Sequence, residues 1–248
     1  MKVLVSGYKG HMGQIVADLC SQGYRGAELY AGVDASADGT EAVSCAKTYA
    51  EAENGADIII DFSHHAATRN LLDYAVETGT PLVLATTGQT DEERELIAEA
   101  AEKIPLFFAS NYSLGVALLI ELAKKTAAAM PDAEIEIIET HHHRKVDAPS
   151  GTAVSLANAL KEVRGDVPLV YGRSGNCKRS SEEIGIHAVR MGNVVGIHEV
   201  IIGTENQTIT LKHEAHSRAL FAEGALAAAE FLIDKPAGLY TMQELVDA

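Results

Sequence analysis

Lys2-Val-Leu-Val-Ser-Gly7-Tyr-Lys-Gly10-His-Met-Gly13 is the stretch that decides the fold. Val3 to Val5 form a short apolar run closed by Gly7, and Met12, Ile15, Val16 and Leu19 then recur at helical spacing. The order is strand, glycine turn, helix. The glycines are spaced GxxGxxG, a variant of the dinucleotide fingerprint. Gly7 allows a tight turn, Gly10 lets the backbone approach a pyrophosphate, Gly13 permits close helix–sheet packing, and the helix N-terminus faces the phosphates.

Outward from this turn, the chain alternates strands and helices. A second strand from Glu28 to Val33 ends at Asp34, and a third, from Asp57 to Asp61, runs into Phe62-Ser63. Further strands are expected at Pro81 to Ala85, closing at Thr86-Thr87-Gly88, and at Ile104 to Phe108, closing at Asn111. Helical patterns from about Ala66 to Thr78 and Asp91 to Lys103 lie between them. Continuous apolar strands alternating with helices predict a parallel, doubly wound Rossmann-type sheet covered on both faces.

Its ligand crevice lies outside the C-terminal strand ends, where Phe62, Ser63, Thr86, Thr87 and Gly88 stand. Asp34 can accept hydrogen bonds from both ribose hydroxyls of a dinucleotide, which favours NADH. A 2′-phosphate calls for a cation just after this acid, and Ala35 and Ser36 supply none. Lys9 and His11 in the glycine loop keep NADPH open.

The rhythm changes after Asn111. Ser113 to Ala129 reads as a long helix, Glu134 to Ile138 as a strand with one wetter face, and Gly165 to Ser181 as a long loop. Ile184 to Ile202 and Thr208 to Leu211 alternate like strands of an open sheet. The expected organisation is a dinucleotide-binding domain from residues 1–112 and 218–248, with an inserted α+β substrate and oligomerisation domain, residues 113–217, carrying an open mixed sheet. Ser217 to Ile233 is an alanine-rich helix suited to covering the first sheet, and Met242 to Val246 a short one.

At 248 residues with a formal charge of −15, the chain can bury a large core and repels polyanions over most of its surface. Neither a nucleic-acid nor a membrane partner is expected. The three cysteines are widely spaced with no CxxC pair, so neither a disulfide framework nor a thiolate metal site is indicated. With no room for a signal peptide before the first strand and no apolar stretch of membrane-spanning length, a cytoplasmic location is expected.

In so acidic a chain, Glu139-Thr-His-His-His-Arg-Lys-Val-Asp-Ala-Pro-Ser-Gly-Thr152 reads as a site for an anionic substrate. His141, His142, Arg144 and Lys145 offer positive charge and transferable protons. Ser150, Gly151 and Thr152 precede the helical pattern Ala153, Leu156, Ala157, Leu160, Val163, whose first turn presents unpaired N–H groups to a carboxylate. Three successive histidines cannot all face one way, so at most two point into a site.

Together, GxxGxxG, Asp61-Phe-Ser, Thr86-Thr-Gly, Asn111-Tyr-Ser-Leu-Gly115 and the 139–153 run resemble the 4-hydroxy-tetrahydrodipicolinate (dihydrodipicolinate) reductase family over nearly the whole chain. The resemblance implies reduction of a small dicarboxylate in lysine and diaminopimelate biosynthesis, with NADH and NADPH both used by many members and a homotetramer built by the inserted domain. By position it implies His141 and Lys145 as catalytic. His142, Ser150, Gly151, Thr152 and Arg218 become substrate-binding. Gly7, His11, Met12, Asp34, Thr87, Gly88, Ser110 and Tyr112 fall on cofactor positions, and the glycine turn and strand ends add Lys9, Gly10, Gly13, Phe62, Ser63, Thr86 and Asn111 to the cofactor-binding set. No metal is implied. Many relatives carry arginine at the positions of His11 and Ala35, a departure that weighs against tight NADP binding.

Rival chemistries lack their signatures. A zinc hydrolase would need HExxH or CxxC beside the histidines, and a semialdehyde dehydrogenase a cysteine in a nucleophile context. A nucleotide-sensing module would share the glycine turn without needing the 141–152 constellation.

Overall fold

The structure, a computed structural model, describes residues Met1–Ala248, which divide into two compact units: Met1–Ser113 with Ala219–Ala248, and Leu114–Arg218.

The first unit is built on a seven-stranded sheet of β1 (Lys2–Ser6), β2 (Glu28–Val33), β3 (Cys45–Ala46), β4 (Ile58–Asp61), β5 (Leu82–Leu84), β6 (Pro105–Phe108) and β12 (Gly238–Tyr240). The spatial order is β12-β6-β5-β4-β1-β2-β3, and every pairing is parallel. The order reverses at β1/β4, which defines a doubly wound Rossmann-type sheet with its switch point beside the glycine turn. Helices α1 (His11–Ser21), α2 (Thr68–Thr78), α3 (Asp91–Ala101) and α6 (Ala219–Leu232) cover it. The alanine-rich α6 returns to the first sheet, packing on α1, β4, β5 and β6. Leu4, Ile59, Leu71, Leu82, Leu84, Ile97 and Leu106 form a continuous core between strands and helices. The short strands β3 and β12 escape the sequence reading because two or three residues are too few to show a period.

The second unit carries a mixed five-stranded sheet in the order β11-β10-β7-β9-β8, from β7 (Glu134–His141), β8 (Leu169–Tyr171), β9 (Ile184–Arg190), β10 (Gly196–Thr204) and β11 (Gln207–Ala215). β10 runs antiparallel to β7 and β11, while β9 is parallel to β7 and β8. Helices α4 (Leu114–Ala129) and α5 (Gly151–Arg164) pack on one face, where Leu119, Ala123, Leu156 and Leu160 meet Ile135, Ile137, Ile186, Val200 and Ile202.

Three expectations are corrected here. The segment Gly165 to Ser181 is not wholly loop, since Leu169–Tyr171 pairs in register with Ile184–Ile186 as an edge strand. The stretch from Ile184 to Ile202 is two strands, β9 and β10, parted by a turn at 191–195 with Gly192 at φ +49. Strand β7 also runs three residues past Ile138, because Glu139 and His141 find buried polar partners on the core face.

Candidate active site

The glycine loop in the first unit leaves its helix bare. Gly10 is the N-cap of α1, no side chain caps it, and its first turn carries no acid. By contrast, α3 opens with a full Thr90/Glu93 capping box. An uncapped N-terminus retains the free N–H groups and positive dipole end that an anion can use. Gly7 sits at φ +74, and a Cβ there would lie 2.6 Å from the Phe62 carbonyl oxygen. A Cβ on Gly13 would lie 2.1 Å from the Gly7 carbonyl oxygen, so the helix abuts the turn only because both residues are glycine.

Beside the turn opens a cavity of about 930 Å³ lined by Gly7, Gly10, Asp34, Ala35, Phe62 and Ser63, and also by Lys47, a cation the sequence reading passed over. The Asp34 carboxylate accepts from Lys9 N (2.9 Å), Ser36 N (2.9 Å) and Ser36 Oγ (2.6 Å). Partial burial pushes its carboxyl up, but these bonds outweigh that and hold it below the usual range. At the strand ends, Asp61 is fully buried, takes a hydrogen bond from Ser6 Oγ, and is raised by desolvation. The Ser63 and Thr86 hydroxyls also hydrogen-bond to the Asp61 carboxylate and partly offset that rise. Uncapped helix, glycine cradle and cavity together fit a dinucleotide.

His11, Thr87 and Ser110 are exposed, Met12 and Asn111 partly buried, and Gly88 has φ +90. Tyr112 is placed differently from a cofactor contact through its hydroxyl. That group is buried and donates to Leu84 O (2.9 Å) and Phe107 O (3.1 Å), so the side chain ties strand ends together.

In the second unit, strand alternation assembles a polar cluster. Glu139 and His141 follow Ile135 and Ile137 on the helix-covered face of β7. The register then places His198 opposite Glu139 and Arg190 opposite His141. Glu139, with no exposed surface, is held by both Arg190 guanidinium nitrogens (2.7 and 2.8 Å), by His141 Nδ1 (2.6 Å) and by Ser150 N (3.0 Å). Burial pushes its carboxyl up, while hydrogen bonds from Arg190, His141 and Ser150 bring it below the ordinary value. With Nδ1 donating to a carboxylate, His141 keeps Nε2 as its second ring nitrogen. Gly196 makes room for the ring, since a Cβ there would lie 3.1 Å from Nε2.

Ser150 caps α5, its Oγ accepting from Ala153 N (3.3 Å) and lying 3.0 Å from His198 Nε2. His198 is buried, its ring edge-on to His141 at 5.1 Å between centroids, and desolvation, then His141, lowers it to about 4. The loop after β7 is pinned to the 191–193 turn: His143 Nδ1 to Gly192 O (2.8 Å) and Arg144 to Asn193 Oδ1 (2.6 Å). His143 is thereby turned away, as three consecutive histidines require. Lys145 Nζ pairs with the exposed Asp147 at 2.9 Å. His142 is lowered by desolvation and then by Arg144, His141, Arg218 and Lys145, which marks one concentration of positive charge. Gly151, at the start of α5, has open space where a Cβ would stand.

Glu139, Arg190 and His198 are the site residues that sequence reasoning missed as such. Arg190 and His198 lie about fifty positions from the motif, and only the strand register brings them to it. The nearest sequence signal was a buried-face periodicity that ended in a glutamate and a histidine.

A Rossmann unit with an uncapped glycine turn, joined to a unit bearing a cationic, proton-rich helix start, defines an oxidoreductase that uses a pyridine nucleotide. Family models of dihydrodipicolinate reductase match residues 1–112 (N-terminus) and 115–246 (C-terminus), so the chain belongs to that family. It is 42% identical over 248 residues to the 4-hydroxy-tetrahydrodipicolinate reductase of Caldanaerobacter subterraneus, covering 99% of this chain and 98% of the relative. It is 40% identical over 248 residues to that of Alkaliphilus metalliredigens, covering 99% of each. The dipicolinate-bound dihydrodipicolinate reductase of Paenisporosarcina sp. TG-14 superposes with a TM-score of 0.81 at 25% identity over 97% of both chains. No helix is long and apolar enough to cross a membrane.

Proposed function

We propose that the chain reduces 4-hydroxy-tetrahydrodipicolinate to tetrahydrodipicolinate, with His141 and Lys145 as its proton-handling residues and the start of α5 as its carboxylate anchor. The substrate loses its hydroxyl as water and gains a hydride and a proton. The bound nicotinamide supplies the hydride. Gly7, Gly10, Gly13 and the first turn of α1 cradle the pyrophosphate, Asp34 receives the ribose hydroxyls, and Phe62, Ser63, Thr86, Thr87, Gly88, Ser110 and Asn111 border the nicotinamide end.

Gly151 N, the Thr152 hydroxyl and the dipole of α5 receive one carboxylate, and His142 and Arg218 supply field for the other. Lys145 donates the proton: its exposed pairing with Asp147 contributes little, so a dianion can take the ammonium over. His141, fixed by Glu139, orients the substrate through Nε2. The observation that carries this reading is the buried Glu139, which binds His141, Arg190 and the amide of the α5 cap at once.

A coupled assay with dihydrodipicolinate synthase, following loss of reduced nicotinamide absorbance, tests it. Turnover that depends on the synthase product supports the reading. Nucleotide binding without consumption would make the chain a sensing module.

The assembly we propose is a homotetramer through the sheet face that α4 and α5 leave uncovered, where alternation places Ile138, Val189, Ile197 and Ile201. Light scattering should give four chains, and an active monomer would refute it. NADH is proposed to serve at least as well as NADPH, because Ala35 rather than a cation follows Asp34.

A further inference from the structure

The loop after β2 folds back on the glycine turn through charge. Lys9 Nζ lies 2.9 Å from Asp38 Oδ2, 3.1 Å from Glu41 Oε1 and 3.0 Å from Ser36 O. An ammonium has three protons, so its donors are fully engaged. Glu41 is a fixed part of the loop: its side chain is 4% exposed, and it also accepts from Asp38 N (3.0 Å) and Gly39 N (2.9 Å). Asp38 is further tied to Thr40. Asp34 lies in the same cluster through Lys9 N and Ser36. One cation faces three carboxylates here, a formal balance of −2. A further cation, Lys47, lines the cavity together with Asp34 and Ala35, and counting it reduces the balance to −1.

We infer that Asp38 and Glu41 are selectivity determinants that hold Lys9 away from the 2′ position of the adenosine ribose, making the chain prefer NADH over NADPH. The inference rests on the pyridine-nucleotide reading of the glycine turn and goes further than the absence of a cation after Asp34. A cation is present in the loop but is silenced by its neighbours. A 2′-phosphate would bring about two further negative charges into a cluster already net negative, whereas a 2′-hydroxyl brings none.

The test is equilibrium titration of NADH and NADPH, read by nicotinamide fluorescence, against the unaltered chain and D38N/E41Q, Lys9→Met and the triple combination. In D38N/E41Q the Kd for NADPH should tighten tenfold or more, with NADH changing less than threefold. The triple variant should lose that gain, and Lys9→Met alone should move the ratio of the two Kd values less than threefold. Because Glu41 is nearly buried, Asp38→Asn alone provides a second variant at an exposed site, expected to tighten NADPH threefold or more. An unchanged ratio in both Asp38→Asn and the double variant overturns the inference, as would a gain that survives removal of Lys9 and so belongs to Lys47. Failure of the unaltered chain to bind either nucleotide would instead overturn the dinucleotide reading itself.

Discussion

Helices α1 and α5 each follow a strand of their own unit across a connecting loop, and their first turns are built in opposite ways. α1 is stripped: a glycine cap, no side-chain cap hydrogen bond, no acid in its first turn. α5 is dressed: a serine cap braced by a buried glutamate and a buried histidine, and a preceding loop bearing His142, Arg144 and Lys145. A group whose chemistry is its own needs only backbone and space. A substrate that must be oriented and protonated needs side chains whose charge and tautomer are fixed.

Variants at the two starts should therefore fail in different ways. The largest effect is expected for Lys145→Met, which keeps the stem and removes the proton and the charge. Turnover should fall roughly 10²-fold or more while the Kd for NADH barely moves, as stopped-flow and titration would show. Thr152→Val removes a hydroxyl and keeps the shape. Steady-state kinetics should find a raised substrate KM, consistent with losing a charged hydrogen bond of about 1.5–3 kcal/mol, with kcat little changed. An effect on NADH affinity instead would blur the division between the two starts.

At α1, Gly13→Ala would drive a Cβ against the Gly7 carbonyl. The first unit should lose about 1–3 kcal/mol of stability, and NADH affinity should fall with it, measured by denaturation and titration. The effect that leaves both helix starts chemically intact concerns pH. His198 is held at about 4 in the folded chain against an ordinary 6.5, so on acidification the unfolded state takes up a proton first. Its contribution is complete above 6.5 and declines between 6.5 and about 4, by about 1 kcal/mol per pH unit. His198→Gln should flatten this part of the thermal-denaturation profile.

The same contrast explains what the sequence made legible. The α1 site is local: strand, turn and glycines lie within thirteen residues, and the doubly wound order follows from the alternation of elements. The charged loop before α5 is local too. What braces it is not, because Arg190 and His198 reach Glu139 only through pairing of β9 and β10 with β7. Lys9 was visible as a cation, but its capture by Asp38 and Glu41 depends on the path of an irregular loop that has no period to read.

The most direct test of the central claim is to supply NADH deuterated at both positions of its reducing carbon, with freshly generated 4-hydroxy-tetrahydrodipicolinate, and to weigh the product. The account predicts one cofactor-derived deuteron in each tetrahydrodipicolinate and one nucleotide oxidised per product. Product free of cofactor deuterium, or a nucleotide that stays reduced in the presence of substrate, would contradict it.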